Sequence, residues 1–326
     1  MIIENKISVL IVVYNEERYI EKSIDSILNQ IYSNIEIVIV NDSSTDRTQK
    51  IITSFLDQRI KLINNKENIG LTRSLNIGLK ACRGEFIARL DGSDLMIENR
   101  LEKQIEFLKN NPKIAVVGSF FKCINETGKE LNELNYPSGI TKNIYRLLHG
   151  ENPVGHPGVL MRKNIINKLG NYREEYYYSQ DIDLWLRIYL GGYLIDNIPE
   201  YLTFYRIHRN SISIKNKDRQ SQYHIIAFHD FYQKLTNNII NIKFIHKYLI
   251  LLQFKKIKIS YKEIFIIIKI FYKLHFALTL KLNLPYDSSY YYNKLDQDFK
   301  LNQFIIFRLF KLSINHFPKI INRIIN

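Results

Sequence analysis

The stretch "IEIVIVNDSSTDRTQKIITSFLDQRIKLI", Ile35 to Ile63, decides how the first part of this chain folds. Ile35–Val40 is a nearly continuous aliphatic run, too short for a helix and without in–out alternation. That is the pattern of a strand covered on both faces. A polar turn with Asp42 and Asp46 follows, then a helix-patterned segment over Asp46–Leu56, then a second apolar run, Ile60–Ile63. The same punctuation extends in both directions. Ile7–Val13, Glu85–Leu90 and Ile114–Val117 read as strands; Glu17–Gln30, Leu71–Cys82 and Ile97–Asn110 read as helices. Strand–helix–strand alternation predicts an α/β fold with a mostly parallel, doubly wound sheet flanked by helices. Such sheets bind ligands beyond the carboxyl ends of their strands.

The totals agree with a globular protein. Of 326 residues, 46% are hydrophobic and 24% charged, which excludes a disordered chain. Cys82 and Cys123 have neither CxxC spacing nor a partner histidine cluster, so they are expected as small core residues of a reduced, cytoplasmic protein. The apolar run Ile7–Val13 is preceded by Glu4 and followed by no small-residue cleavage site, so it is expected as a strand rather than a secretory signal. No stretch reaches the length of a membrane span. The net charge of +14 is unevenly placed. Residues 1–214 hold 27 Lys+Arg against 26 Asp+Glu, leaving 19 against 6 for residues 215–326, a balance of +1 against +13. This step suggests two domains, 1–214 and 215–326.

The polar residues after the strands carry the chemistry. "YNEE" follows the first, "NDSSTDRT" the second, "NNKENIGLTRSLN" the third and "DGSD" the fourth. No G-x-G-x-x-G follows the first strand and no P-loop is present, so dinucleotide and P-loop readings lose their main support. Asp91 and Asp94 of "DGSD" fit a metal site, a turn or a helix cap. Asp42 fits a hydrogen bond to a nucleobase or ribose, or an Asx turn before the next helix. A second block, residues 155–206, contains "GHPGVLMRKNIINKLGNY" and "YSQDIDLWLRIYLGGY". A helix is predicted over Gln180–Leu190, ended by Gly191-Gly192, with Asp181 and Asp183 in its first turn.

Six pieces in order, "VVYNEERYIEKSIDSIL", "IVIVNDSSTDRT", "NIGLTRSLNIGL", "IARLDGSDL", "SQDIDLWLRI" and "YRIHRNSIS", together resemble family-2 glycosyltransferases of the inverting, GT-A-fold type. The resemblance covers about residues 6–213. It implies a nucleotide-sugar donor, with UDP as the expected carrier, a divalent metal (Mn²⁺ or Mg²⁺) and a hydroxyl acceptor on a saccharide or lipid-linked molecule. It also implies a place in surface polysaccharide assembly. Carried over residue by residue, it points to Tyr14, Glu16, Asp42, Arg73, Asp91, Asp94 and Arg206 for donor binding. Asp91, Asp94 and His208 are implied as metal ligands, Asp181 as the base, and His156 and Gln180 on the acceptor side. Asp183 is expected to orient the local backbone. Two positions depart from the family pattern. Ser93 stands where a second acid is usual, and Gln180 replaces the first member of the acidic pair at the helix start.

Two rival readings use the same residues: a glycoside hydrolase with Asp91 and Asp181 as its carboxylate pair, and a scaffold that has lost activity. The basic tail reads as amphipathic helices. It suits peripheral contact with an anionic membrane surface or has no partner at all. No recognised motif supports nucleic acid.

Overall fold

The computed structural model describes residues 2–209, 211, 216–235, 278 and 281–282. The chain divides into two compact units, Met1–Phe231 and Tyr232–Asn326, and the elements below lie in the first except the last turn of its final helix.

β1 (Ile3–Val13), β2 (Ile35–Asn41), β3 (Ile60–Asn64) and β4 (Gly84–Asp91) alternate with α1 (Ile20–Leu28), α2 (Thr48–Ser54) and α3 (Leu71–Ala81). Their order is β3-β2-β1-β4, all parallel. All seven residues of β2 are buried, as its unalternating pattern predicts. The helices cover the sheet through apolar stripes, such as Ile20, Ile24 and Ile27 of α1. Gly78 of α3 allows the closest approach: a Cβ there would stand 2.2 Å from the Leu10 side chain.

The second half changes character. β5 (Leu95–Met96), α4 (Arg100–Asn110), β6 (Ile114–Ile124), β7 (Glu130–Leu134), α5 (Ile140–Leu148), β8 (Leu160–Arg162), α6 (Lys163–Lys168), α7 (Gln180–Leu190) and β9 (Leu194–Arg206) follow, then α8 (Lys217–Leu235). The sheet continues as β4-β8-β6-β9-β5, with β7 on β6. β8 runs antiparallel to both β4 and β6, while β6 and β9 are parallel. The nine-stranded sheet is therefore mixed, parallel in its first half and partly antiparallel in its second.

β9 is the element the sequence pattern hides. Its interior carries Asp196, Asn197, Pro199 and Glu200. The pairing with β6 slips between Ile198 and Tyr201, and Pro199 and Glu200 fall in that slip. Proline lacks the N–H a regular ladder needs, so a bulge is where it fits. The buried Asp196 carboxylate and the Asn197 side-chain N–H groups find partners distant in sequence. Asp196 accepts from Gly139 N–H at 2.7 Å, and Asn197 donates to the carbonyls of Pro137 and Pro153 at 2.8 and 3.0 Å.

Cys82 and Cys123 are buried and free, as expected. Among the described residues no helix is long and apolar enough to cross a membrane. Of the basic helical region anticipated over 215–326, the described residues include 216–235, which hold α8; the remainder, and the membrane contact assigned to the region, lie outside the described residues apart from three positions.

Candidate active site

The turns after β1 and β2 clasp each other. Asn15 N–H donates to Ser44 Oγ at 3.0 Å, and Asn15 Oδ1 accepts from Thr45 N–H at 2.8 Å. Glu16 N–H donates to Thr48 Oγ1 at 2.8 Å. Asp46 accepts from Thr48 N–H on one oxygen and from Glu17 N–H on the other, so it caps α2 and ties the two turns together. Asn15 and Ser43 both take positive φ, 58° and 62°. Non-glycine residues hold that conformation only where surrounding bonds fix it, and the clasp supplies them.

Beyond these turns lies a cavity of about 570 Å³. Tyr14, Glu16, Asp42, Asp91, Ser93, Arg206 and His208 line it together with His156, Gln180 and Asp181. Ten residues from six separate segments thus meet in one space.

Asp42 is buried and organises the β3–α3 loop. Its Oδ1 accepts from Asn65 Nδ2 at 2.8 Å and Ile69 N–H at 3.0 Å; its Oδ2 accepts from Gly70 N–H at 2.8 Å. An ionised carboxylate has about four acceptor positions, so one remains for a ligand. Gly70, at φ 87°, passes beneath Tyr177: a Cβ there would lie 2.4 Å from the Tyr177 hydroxyl. Only glycine meets both demands.

The "DGSD" loop splits its two aspartates. Asp91 ends β4 with its side chain 42% exposed, and the guanidinium of Arg89 holds its Oδ1 at 2.5 Å. Arg89 itself is fully buried. Asp94, expected beside Asp91, instead faces β9. Its Oδ1 accepts from Arg206 N–H at 2.8 Å, its Oδ2 is buried without a partner, and it does not line the cavity. The tight turn that bonds Asp94 N–H to the Asp91 carbonyl turns the second carboxylate inward. Burial, and then the charge of Asp91, push its carboxyl well above the usual range. Arg206 braces the same loop: its Nε donates to the Ser93 carbonyl at 2.9 Å and its Nη1 to the Asn125 carbonyl at 2.8 Å. Glu16 packs over Gly92, whose added Cβ would meet Glu16 Cγ at 3.3 Å. Burial and the neighbouring Asp91 push the Glu16 carboxyl up to about 8.

Arg73 is not in this space. It pairs with Glu174 at 2.8 Å on the surface, with both side chains more than half exposed. A long cation on a helix face finds the nearest carboxylate in water, and here that is Glu174.

Asp181 sits in the first turn of α7. Backbone amides of the helix start and Asn152 Nδ2, at 3.2 Å, bond its carboxylate. Burial nevertheless raises its pKa. Asp183, two residues on, points away and binds Arg173 Nε at 3.0 Å and Arg187 Nε at 2.9 Å. Arg187 in turn reaches the carbonyls of Leu169 and Asn171, so Asp183 locks the loop before α7. His156 is buried against Trp185, with its Nε2 2.8 Å from Tyr172 Oη; burial, then the charge of Arg89, keep the ring neutral. Tyr136, Tyr177, Tyr178, Tyr205 and Phe121 complete the wall.

Residues 8–170 match the model of glycosyl transferase family 2. The chain belongs to that family. An uncharacterized glycosyltransferase of Haemophilus influenzae is 37% identical over 229 residues, spanning 66% of this chain and 70% of that one. The O-antigen biosynthesis glycosyltransferase WbnJ of Escherichia coli is 36% identical over 211 residues, 63% of this chain and 81% of its own. Among solved structures, residues 1–349 of Staphylococcus aureus TarS in complex with UDP-GlcNAc superpose with a TM-score of 0.58 at 17% identity, covering 85% of this chain and 83% of that one. At that identity the likeness is one of fold, the GT-A type. The protein is a glycosyltransferase, and neither the hydrolase reading nor the inactive scaffold is favoured.

The family motifs lead to the strand ends and to Asp181. They do not lead to Asn152, Arg89 or the aromatic wall. Asn152 stands in "ENPVGHPG", where an Asn-Pro pair signals only a turn. Arg89 lies inside the apolar run Glu85–Leu90, and nothing in that pattern marks it as a site residue.

Proposed function

We propose that this glycosyltransferase moves a sugar from a UDP-linked donor to a hydroxyl of a saccharide or lipid-linked acceptor, with inversion at the anomeric carbon. Assembly of a surface polysaccharide is the proposed setting. The single observation that carries the reading is one cavity joining Asp42, Asp91 and Asp181. Asp42, with Tyr14 at the rim, receives the nucleotide. Asp91 and Ser93 receive the diphosphate. Asp181 stands where an acceptor hydroxyl enters.

In this reading the acceptor oxygen attacks the anomeric carbon as the bond to the diphosphate oxygen breaks. Its proton passes to the carboxylate of Asp181. The new glycosidic bond and a nucleoside diphosphate result. Asp181 must be ionised to act, and burial raises its pKa, so turnover falls as pH drops through that raised value. Neutral His156, fixed by Tyr172, presents a ring without charge on the acceptor side.

The acidic corner fits a divalent cation. Glu16 and Asp91 are neighbours on the cavity wall, and burial together with the charge of Asp91 raises the Glu16 carboxyl. Among the described residues no cluster of three metal-ligating side chains could hold the ion alone. Asp91 would hold it, with His208 also on the cavity wall and the donor's phosphates supplying further oxygens. Bound there, Mn²⁺ or Mg²⁺ would neutralise charge developing on the leaving diphosphate.

Isothermal titration of the full chain with UDP and Mn²⁺ tests the donor assignment. Binding that requires both is expected, and no heat at millimolar UDP would remove it.

A further inference from the structure

We infer that Asn152 is a positioning residue for Asp181: its side-chain amide presents an N–H that holds the carboxylate ionised and aimed into the cavity. The inference rests on Asp181 being the base of the proposed transfer.

The amide has little freedom. Asn152 Oδ1 accepts from Val154 N–H at 3.3 Å, a turn of the Asx type. That bond assigns the oxygen end of the amide to the backbone and leaves the NH₂ end for Asp181 Oδ2, 3.2 Å away. The Asn152 carbonyl is anchored as well, accepting from Arg146 Nε at 2.8 Å. Arg146 in turn pairs with Glu151 and lies over the Tyr136 ring, 5.4 Å from its centre. The residue is therefore clamped at its backbone and at one side-chain atom, and the free end points at the base. Asn152 and Asp181 both line the cavity.

The surroundings of Asp181 make this contact count. Backbone amides of Asp181 and Ile182 favour its charged form, while burial and Asp91 oppose it. Tyr136 and Tyr172 both feel its charge; burial pushes the Tyr136 phenol up to about 12 and Tyr172 higher still, so both stay neutral. His156, bonded to Tyr172, is neutral too. Arg146, a cation of the same wall, donates its Nε to the Asn152 carbonyl. Asn152 is thus the one side chain hydrogen-bonded to the Asp181 carboxylate among the described residues.

The test compares the full chain with Asn152→Ala and Asn152→Asp. Carbon-13 NMR follows the titration of aspartate carboxylates, and Asp181→Asn assigns the resonance. The Asn152→Asp variant keeps an oxygen for Val154 N–H and replaces the donor with a second carboxylate oxygen, so the loop is preserved where alanine could loosen it. The Asp181 midpoint is expected to rise by roughly one unit in Asn152→Ala. In Asn152→Asp it rises further, because two carboxylates at this distance share a proton. Below the midpoint each unit means about tenfold less ionised base. UDP binding is expected unchanged in both. An Asp181 midpoint identical in all three proteins overturns the inference. The base assignment fails separately: an Asp181→Asn protein that transfers sugar at the wild-type rate sinks it, whatever the titration shows.

Discussion

The two walls of the cavity are built differently. On the proposed donor side, Tyr14, Glu16, Asp42 and Asp91 sit at or within three residues of the ends of parallel strands, and neighbouring groups fix Glu16, Asp42 and Asp91 by hydrogen bonds. On the proposed acceptor side, Tyr136, Asn152, His156, Asp181 and Tyr205 come from four segments and are held by ring packing and long-range contacts. The proposed donor wall is set by the ends of parallel strands; the proposed acceptor wall combines loops with the start of α7 and the end of β9.

The strongest way to break this division is at Asp181. Replacing it by Asn is expected to reduce transfer by about 10²–10⁴-fold, the usual contribution of a positioned base, with UDP affinity unchanged. A variant that loses UDP binding would show that the two walls are not separable. The next effect belongs to the "DGSD" loop. Asp91→Asn is expected to weaken Mn²⁺-dependent UDP binding by roughly 10–100-fold, the loss of one charge-assisted contact. Asp94→Asn is expected to leave that binding within about threefold, since Asp94 faces Arg206 behind the loop. Equal losses in the titration would place Asp94 at the ligand after all.

The same division explains what the sequence disclosed. The parallel half was legible because buried strands there are unbroken apolar runs, and residues beyond them are placed by the strand itself. Asp42, Asp91 and the α7 start at Gln180 follow from position alone. β9 was not legible: Asp196, Asn197 and Pro199 break its pattern, and the groups that satisfy or accommodate them are 44 to 60 residues away or across a bulge. Arg89 escaped for a related reason. A fully buried arginine is defined by its partners, Asp91 and the Leu90 carbonyl, not by its neighbours in sequence. Asp94 shares a four-residue motif with Asp91, which groups the two in sequence, whereas the turn between them buries Asp94 against the Arg206 backbone and leaves Asp91 on the cavity wall.

Glu16 offers a measure of strain in the donor wall. Its ordinary value is 4.5 and its folded value about 8, so the folded state prefers the neutral acid. Stability from this group is fully present below about 4.5 and is lost as pH rises toward 8. Glu16→Gln removes that loss. Its melting temperature is expected to exceed the wild type by about 2–4 °C at pH 8, the shift roughly 1 kcal/mol produces in a domain of this size, and to match it near pH 4.5. A gain independent of pH would mean that packing over Gly92, not charge, sets the difference.

Arg73 gives the smallest effect and the sharpest check on where the donor wall ends. The motif places it near the diphosphate, yet in the structure it pairs with Glu174 at a surface where both side chains are more than half exposed. Exposed pairs of this kind contribute at most about 1 kcal/mol. Arg73→Ala is therefore expected to change UDP affinity and turnover by less than about twofold, and Glu174→Ala likewise. If Arg73→Ala weakens UDP as much as Asp91→Asn does while Glu174→Ala tightens it, the guanidinium leaves Glu174 when the donor arrives. The donor wall would then include one residue that no strand end positions, and the contrast between the two walls would narrow to Asp42 and Asp91.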